Sequence, residues 1–243
     1  MLSNTKDLKG LVVRATDGEI GTIDQFYFDD ETWVIRYLTV ETGGWLEDRK
    51  VLISPISVAH TDWQYKQLDV ALTKKQVENS PDIDTHRPIS RQAEAGYLEY
   101  YGYPYYWGFY PSAVAPTAAS ADSPADGIQR QSPDTHLRST DAITGYRVEA
   151  VDGEIGHVEG FVVDDEGWAI RYIEVATRNW WPGKKVLVSP AWIKRVGWTD
   201  STVYAGLSRD AIQKAPEFNE SIPVTREYGT FLYLHYGLPQ YWL

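Results

Sequence analysis

Through most of this chain apolar residues alternate with polar ones or bunch in short β-branched runs, and helical spacing is confined to a few stretches. Leu11-Val12-Val13-Arg14-Ala15 reads as a strand. Asp17-Gly18 after it is a hairpin signal, because glycine accepts the positive φ of a tight turn. A second strand runs through Phe28, Asp29-Asp30-Glu31-Thr32 forms a polar tip, and residues 33–40 return as a third strand. After the Thr42-Gly43-Gly44-Trp45 loop comes Lys50-Val51-Leu52-Ile53-Ser54, closed by Pro55, with shorter candidates at 56–59 and 67–72. Five or six short hairpin-linked strands predict a small antiparallel barrel, whose closure hides the sheet edges. No helical crossover fits between them, which excludes a doubly wound α/β sheet.

The period then changes. Thr73-Lys74-Lys75-Gln76 is a capping box opening a short helix that ends before Pro81. An extended stretch around Pro88 follows, and Ser90 reads as the N-cap of a second helix. The same signals recur at Ser208, Pro223 and Thr225, although Ala211 stands where a full box needs a glutamine. Tyr228, Phe231, Leu232, His235 and Tyr236 fall at helical spacing, with Gly237 as the stop and Pro239 beyond it. Gly102 and Pro104 do the same earlier. This apolar face is expected to be buried.

These parallels are one duplication. Residues 7–107 align with 142–242 at a constant offset of 135 without a gap, and 34 of the 101 pairs are identical. A unit this long is a domain rather than a solenoid repeat. The expected organisation is a first unit at 1–108, a flexible Ala/Ser/Pro-rich linker at 109–141 and a second unit at 142–243. A coil of the linker's length spans roughly 30 Å, enough to let the units dock.

Charge and composition narrow the function. The net charge is −11, and no segment is basic, so nothing marks an electrostatic footprint for nucleic acid. Cysteine is absent, which excludes disulfides and thiolate chemistry and fits a reducing compartment. No run of about 20 apolar residues is present, and the first residues lack a signal-peptide core, so a soluble, cytoplasmic protein is expected. Of the 10 Trp and 17 Tyr, many cluster at 97–110 and 228–242, the ends of the two units.

The run Gly10…Asp17-Gly18-Glu19-Ile20-Gly21…Phe26…Asp29-Asp30-Glu31…Trp33…Arg36-Tyr37…Val40…Trp45…Lys50-Val51-Leu52-Ile53-Ser54-Pro55 resembles the PRC-barrel domain. That family is named for the cytoplasmic domain of the photosynthetic reaction centre H subunit and includes the C-terminal half of a ribosome maturation factor. The second copy matches too, including Asn179-Trp180-Trp181-Pro182-Gly183. The tails resemble those of soluble bacterial tandem PRC-barrel proteins, some of them stress-related. The resemblance implies an all-β fold of two small antiparallel β-barrels in tandem, each followed by a short helical, aromatic-rich tail. It also implies an adaptor that binds protein rather than a catalyst.

The candidate chemistry is sparse. The Asp17–Gly21 and Asp152–Gly156 blocks read as turns, since they lack the spacing of a phosphate loop. Asp29, Asp30 and Glu31, with Asp164, Asp165 and Glu166, are the only weak candidates for a divalent cation, and adjacent carboxylates on a strand point to alternate faces. None of the five histidines occupies the same place in both copies, so no nucleophile–base pair assembles and no catalytic residue or cofactor is predicted. Arg36 and Arg171 are expected to form structural ion pairs, and Trp33, Trp168, Trp63 and Trp198 to pack inside. The candidate interaction residues are Trp45, Trp180, Trp181, Tyr105, Tyr106, Trp107, Tyr241 and Trp242, large aromatics that either pack on their own barrel or serve as interface anchors. The predicted function is a protein-interaction or scaffold module. The two units are expected to pair with pseudo-twofold symmetry through their aromatic ends, and a homo-oligomer is compatible. Two alternatives are small-molecule or divalent-metal binding between the units, and an accessory role in photosynthetic electron transport.

Overall fold

A computed structural model describes residues 2–82, 88–107, 135–177, 184–220 and 222–238. The first half runs β1 (Leu2–Asn4), α1 (Thr5–Leu8), β2 (Val12–Ala15), β3 (Gly18–Asp29), β4 (Val34–Glu41), β5 (Lys50–Ile53), β6 (Val58–Asp62), β7 (Gln67–Val70), α2 (Lys74–Glu78), β8 (Ile89–Ser90) and α3 (Arg91–Tyr101). The second half repeats the order but for a counterpart of β8: β9 (Thr135–Ser139), α4 (Thr140–Ile143), β10 (Arg147–Ala150), β11 (Gly153–Asp164), β12 (Ile170–Thr177), β13 (Lys185–Val188), β14 (Ile193–Gly197), β15 (Thr202–Ala205), α5 (Arg209–Gln213) and α6 (Arg226–Tyr236). The molecule is mostly β, in two sheets. No helix among the described residues is long and apolar enough to cross a membrane.

Local chemistry places the elements where the sequence does. Gly18 and Gly153 turn the first hairpins at φ 145° and 132°. The aspartates before them accept from the first residues of α2 and α5, Asp17 from Lys74 N at 2.8 Å and Asp152 from Arg209 N at 2.7 Å. The Thr73–Gln76 capping box is complete, and Ser208 caps α5 through its hydroxyl alone. Ser90 and Thr225 cap α3 and α6, which Gly102 and Gly237 end in the left-handed conformation.

The expectation of antiparallel barrels needs correction in two respects. β2 runs parallel to β7 and β10 parallel to β15, while the other pairings are antiparallel. The 3-10 turns at Pro55–Ser57 and Pro190–Trp192 carry the chain away from β5 and β13, so the next hairpin re-enters beside the first strand. Each sheet path, β5-β4-β3-β2-β7-β6 and β13-β12-β11-β10-β15-β14, is also open, with no ladder joining its ends among the described residues.

A third correction concerns the linker. Residues 108–134 lie outside the described residues, but the last part of the expected linker forms β9 and the start of α4. β9 does not join its own sheet. It pairs antiparallel with β3 of the first half, Leu137 opposite Asp29 and Ser139 opposite Tyr27. Reciprocally, β1 pairs with β11 of the second half, Leu2 opposite Asp164 and Asn4 opposite Val162. Each register is the other shifted by the repeat offset, so the halves exchange their leading strands about a pseudo-twofold axis. Near that axis Ile35 N donates to Trp168 O and Ile170 N to Trp33 O, both at 2.8 Å. Trp33 and Trp168 hold φ of 57° and 54° there, strain of about 1–3 kcal/mol each that burial of both rings offsets.

One apolar cluster runs through both halves, joining Val13, Phe26, Leu38 and Ile53 to Val148, Phe161, Ile173 and Val188. A smaller one lies on the outer face of the first sheet, where Tyr37, Leu52, Ile89, Tyr97 and Leu137 meet. Contrary to the expectation from sequence, the two aromatic tails do not meet among the described residues; α3 and α6 each pack on the sheet of their own half, and the first tail also touches β9 through Tyr106 and His136. Tyr97 donates to Leu52 O at 2.8 Å, and the Tyr233 hydroxyl meets Ser189 Oγ at 3.1 Å beside the Trp192 ring.

Candidate functional site

The predicted interaction residues of the first half are largely spoken for. Trp45 is half-buried; its indole donates to Ile20 O, and Lys74 lies 4.2 Å from the ring centroid. Tyr106 donates to Glu94 Oε2 at 2.9 Å, and the Arg36 guanidinium covers its ring at 3.6 Å. Trp107 packs edge-on against Tyr106, and Tyr105 is the exposed member of the trio. Trp180, Trp181, Tyr241 and Trp242 lie outside the described residues.

The acidic hairpin tips do not gather into a site. Asp29 is buried and accepts from the backbone of Glu31 at 3.0 Å and Thr32 at 2.9 Å, closing the turn. Asp30 faces Arg138 at 3.2 Å, and burial lifts its pKa above the usual carboxylate value despite that cation. Glu31 lies 3.7 Å from Arg91. In the second half Asp164 meets Arg171 at 2.8 Å and accepts from Glu166 N; burial opposes ionisation, but the guanidinium wins and its pKa falls. Asp165 and Glu166 join no cluster of three or more potential ligands, and among the described residues there is none. The ion pair expected of Arg36 is not found among the described residues, where its guanidinium donates to Thr32 Oγ1 at 3.4 Å and covers the Tyr106 ring.

Two polar clusters escaped the sequence reading. The first surrounds Glu94, fully buried on α3. Its carboxylate accepts from Tyr37 at 2.7 Å and Tyr106 at 2.9 Å, with His136 of β9 at 3.2 Å. Burial, then the neighbouring Glu94, push the Tyr37 and Tyr106 hydroxyls well above their ordinary pKa, so both stay protonated donors. His136 falls within the stretch expected to be a flexible linker, yet it is 3 % exposed. Position 94 corresponds to Gly229 and 136 to Met1, so the cluster exists in one half only.

The second cluster anchors the exchanged strand β1. Buried Glu174 on β12 receives Lys185 at 2.7 Å and the Asn4 amide at 3.1 Å, while Lys6 reaches Glu220 at 2.6 Å and Glu159 at 3.4 Å. Burial raises the pKa of Glu174, whereas Glu220, held chiefly by Lys6, is lowered to about 2.

The outward face of α6 is the largest departure from expectation. Leu232 and Tyr233 are buried, but Phe231 is 68 % and Leu234 67 % exposed. The helical spacing predicted a buried Phe231, yet Tyr228, Leu232 and Tyr236 already fill the inward stripe. At the matching positions α3 carries Gly96 and Glu99. Phe231 and Leu234 thus place two neighbouring apolar side chains on one exposed helix face.

These features define a β-rich module with structural polar clusters and one solvent-facing apolar helix stripe. Residues 3–69, from β1 into β7, match the PRC-barrel domain family. No curated protein matches the chain.

Proposed function

We propose that the chain is a non-catalytic binding module made of two PRC-barrel units, the second at 142–243, interlocked into a single scaffold that presents α6 to a protein partner. The matched family over the first unit, and the recurrence of its strand order in the second half, support the two-unit reading. The observation that carries the binding role is the exposed Phe231–Leu234 pair, present in one half and replaced by Gly96 and Glu99 in the other. The Glu94–His136 and Lys6–Glu220 clusters hold elements of the scaffold together. A cysteine-free, acidic chain suits a reducing cytoplasm and a protein rather than a nucleic-acid partner.

The test compares capture from the native source by the wild type and by the Phe231→Glu/Leu234→Glu variant. A partner retained by the first and lost by the second, at unchanged thermal stability, is the expected result. Equal recovery by both overturns the assignment of α6.

A further inference from the structure

We propose that the cleft beside β1 binds the guanidinium of an arginine-type ligand, stacked on the Trp63 indole and hydrogen-bonded to Ser3. This site goes beyond the α6 reading, since neither Phe231 nor Leu234 lines it.

Elsewhere in the molecule the same cradle is filled. Arg138 of β9 lays its guanidinium over the Trp198 ring, 4.4 Å from the centroid, and its Nε donates to Asp30 Oδ2 at 3.2 Å. Tyr146 packs edge-on against the same indole, with centroids 6.2 Å apart. Trp198 comes from the turn between β14 and β15 and Asp30 from the tip after β3, so this arginine bridges the two halves. The pseudo-twofold operation carries Arg138 onto Ser3, Trp198 onto Trp63, Asp30 onto Asp165 and Tyr146 onto Leu11. Backbone registers agree, with Arg138 opposite Phe28 of β3 and Ser3 opposite Val163 of β11. The turns that carry the tryptophans agree as well: Lys66 and Ser201 hold matching positive φ, 52° and 50°.

Beside β1 the sequence has no arginine at this position. Serine and leucine stand where arginine and tyrosine fill the other cradle, and a cleft of about 590 Å³ is left, with Ser3, Leu11 and Trp63 in its wall. Ser3 is 6 % exposed, and its hydroxyl has no hydrogen-bond partner among the described residues. Leaving a buried hydroxyl unpaired is costly, and a guanidinium N–H donating to its oxygen removes that cost. Charge does not oppose a cation. The described lining and its ion-pair partners hold four lysines, Lys6, Lys9, Lys66 and Lys185. Against them stand five carboxylates, Asp7, Asp141, Glu159, Glu174 and Glu220. An indole face attracts cations, and a planar guanidinium stacks on it as Arg138 does on Trp198. The cleft is larger than a guanidinium, which leaves room for the chain that carries it.

The test is an NMR titration of the full chain with N-acetylarginine N-methylamide and with its citrulline equivalent, a neutral isostere. The arginine probe is expected to shift the Ser3 amide and the Trp63 indole, and to bind about tenfold tighter than citrulline. Free arginine, run beside them, separates the sources of the ligand. Tighter binding of the capped probe places the guanidinium on a polypeptide and tighter binding of free arginine places it on a metabolite; either result supports the site. Ser3→Arg installs the side chain that fills the other cradle, and is expected to abolish binding and raise the melting temperature. Trp63→Leu keeps an apolar contact and removes the indole face; it is expected to weaken binding about tenfold while the amide spectrum keeps its native dispersion. No shift at Ser3 or Trp63 at about 10 mM arginine probe, equal binding of citrulline, or undiminished binding by Ser3→Arg or Trp63→Leu overturns the proposal. None of these outcomes bears on whether α6 captures a partner, so the two readings fail separately.

Discussion

Gly156 lies so close to the neighbouring strand that a Cβ built on it would sit 1.9 Å from the Ala176 carbonyl oxygen, and Gly21 stands in the same relation to Glu41. The obstacle is backbone, which cannot swing aside as a side chain can. The Asp-Gly-Glu-Ile-Gly block thus needs its first glycine for a turn and its second for strand contact, and only the turn was readable from sequence. Gly156→Ala is expected to destabilise the protein by about 1–3 kcal/mol, read as a lowered denaturation midpoint. Gly96→Ala, on the exposed side of α3 with nothing near its Cβ, is the control and should stabilise by about 0.5–1 kcal/mol. Similar losses from both would contradict the steric account.

At the level of elements, helix ends were legible and strand partners were not. Thr73, Ser90, Ser208 and Thr225 cap where their side chains predict, because a cap is a local hydrogen bond. β1 and β9 have three and five residues, too few for a period, and their burial depends on a sheet from the other half. The Lys6 cluster that pins β1 has a pH signature. Glu220 drops from an ordinary 4.5 to about 2 in the folded protein, so its contribution is complete above about 4.5 and disappears as pH falls through about 2. Buried Glu174, raised instead, has the opposite sign and takes back part of that gain as pH rises past 4.5. Lys6 and Glu220 are 41 % and 39 % exposed, which limits their pairing to about 1 kcal/mol. Lys6→Met is therefore expected to lower the melting temperature at pH 6 and to approach the wild type near pH 2 by calorimetry. A gap independent of pH would show that the cluster does not hold the strand electrostatically.

For the molecule as a whole, the duplication was plain in the sequence and the way its copies join was not. Aromatic-rich ends suggested a joint between tails, yet Tyr97 and Tyr233 pack on their own sheets and the halves are held by traded strands. A shared core follows from that trade, because Leu8 and Ile143, which follow the exchanged strands, are both fully buried within it. The chain has no cysteine, so an engineered pair reports without background. Ser3 and Val163 face each other across β1 and β11, at the roughly 5.5 Å Cα spacing that a disulfide spans. Under mild oxidation the Ser3→Cys/Val163→Cys variant is predicted to form that bond within a monomer, seen by peptide mapping of the non-reduced protein. A variant that stays reduced, or that links only between chains, would contradict strand exchange within one molecule.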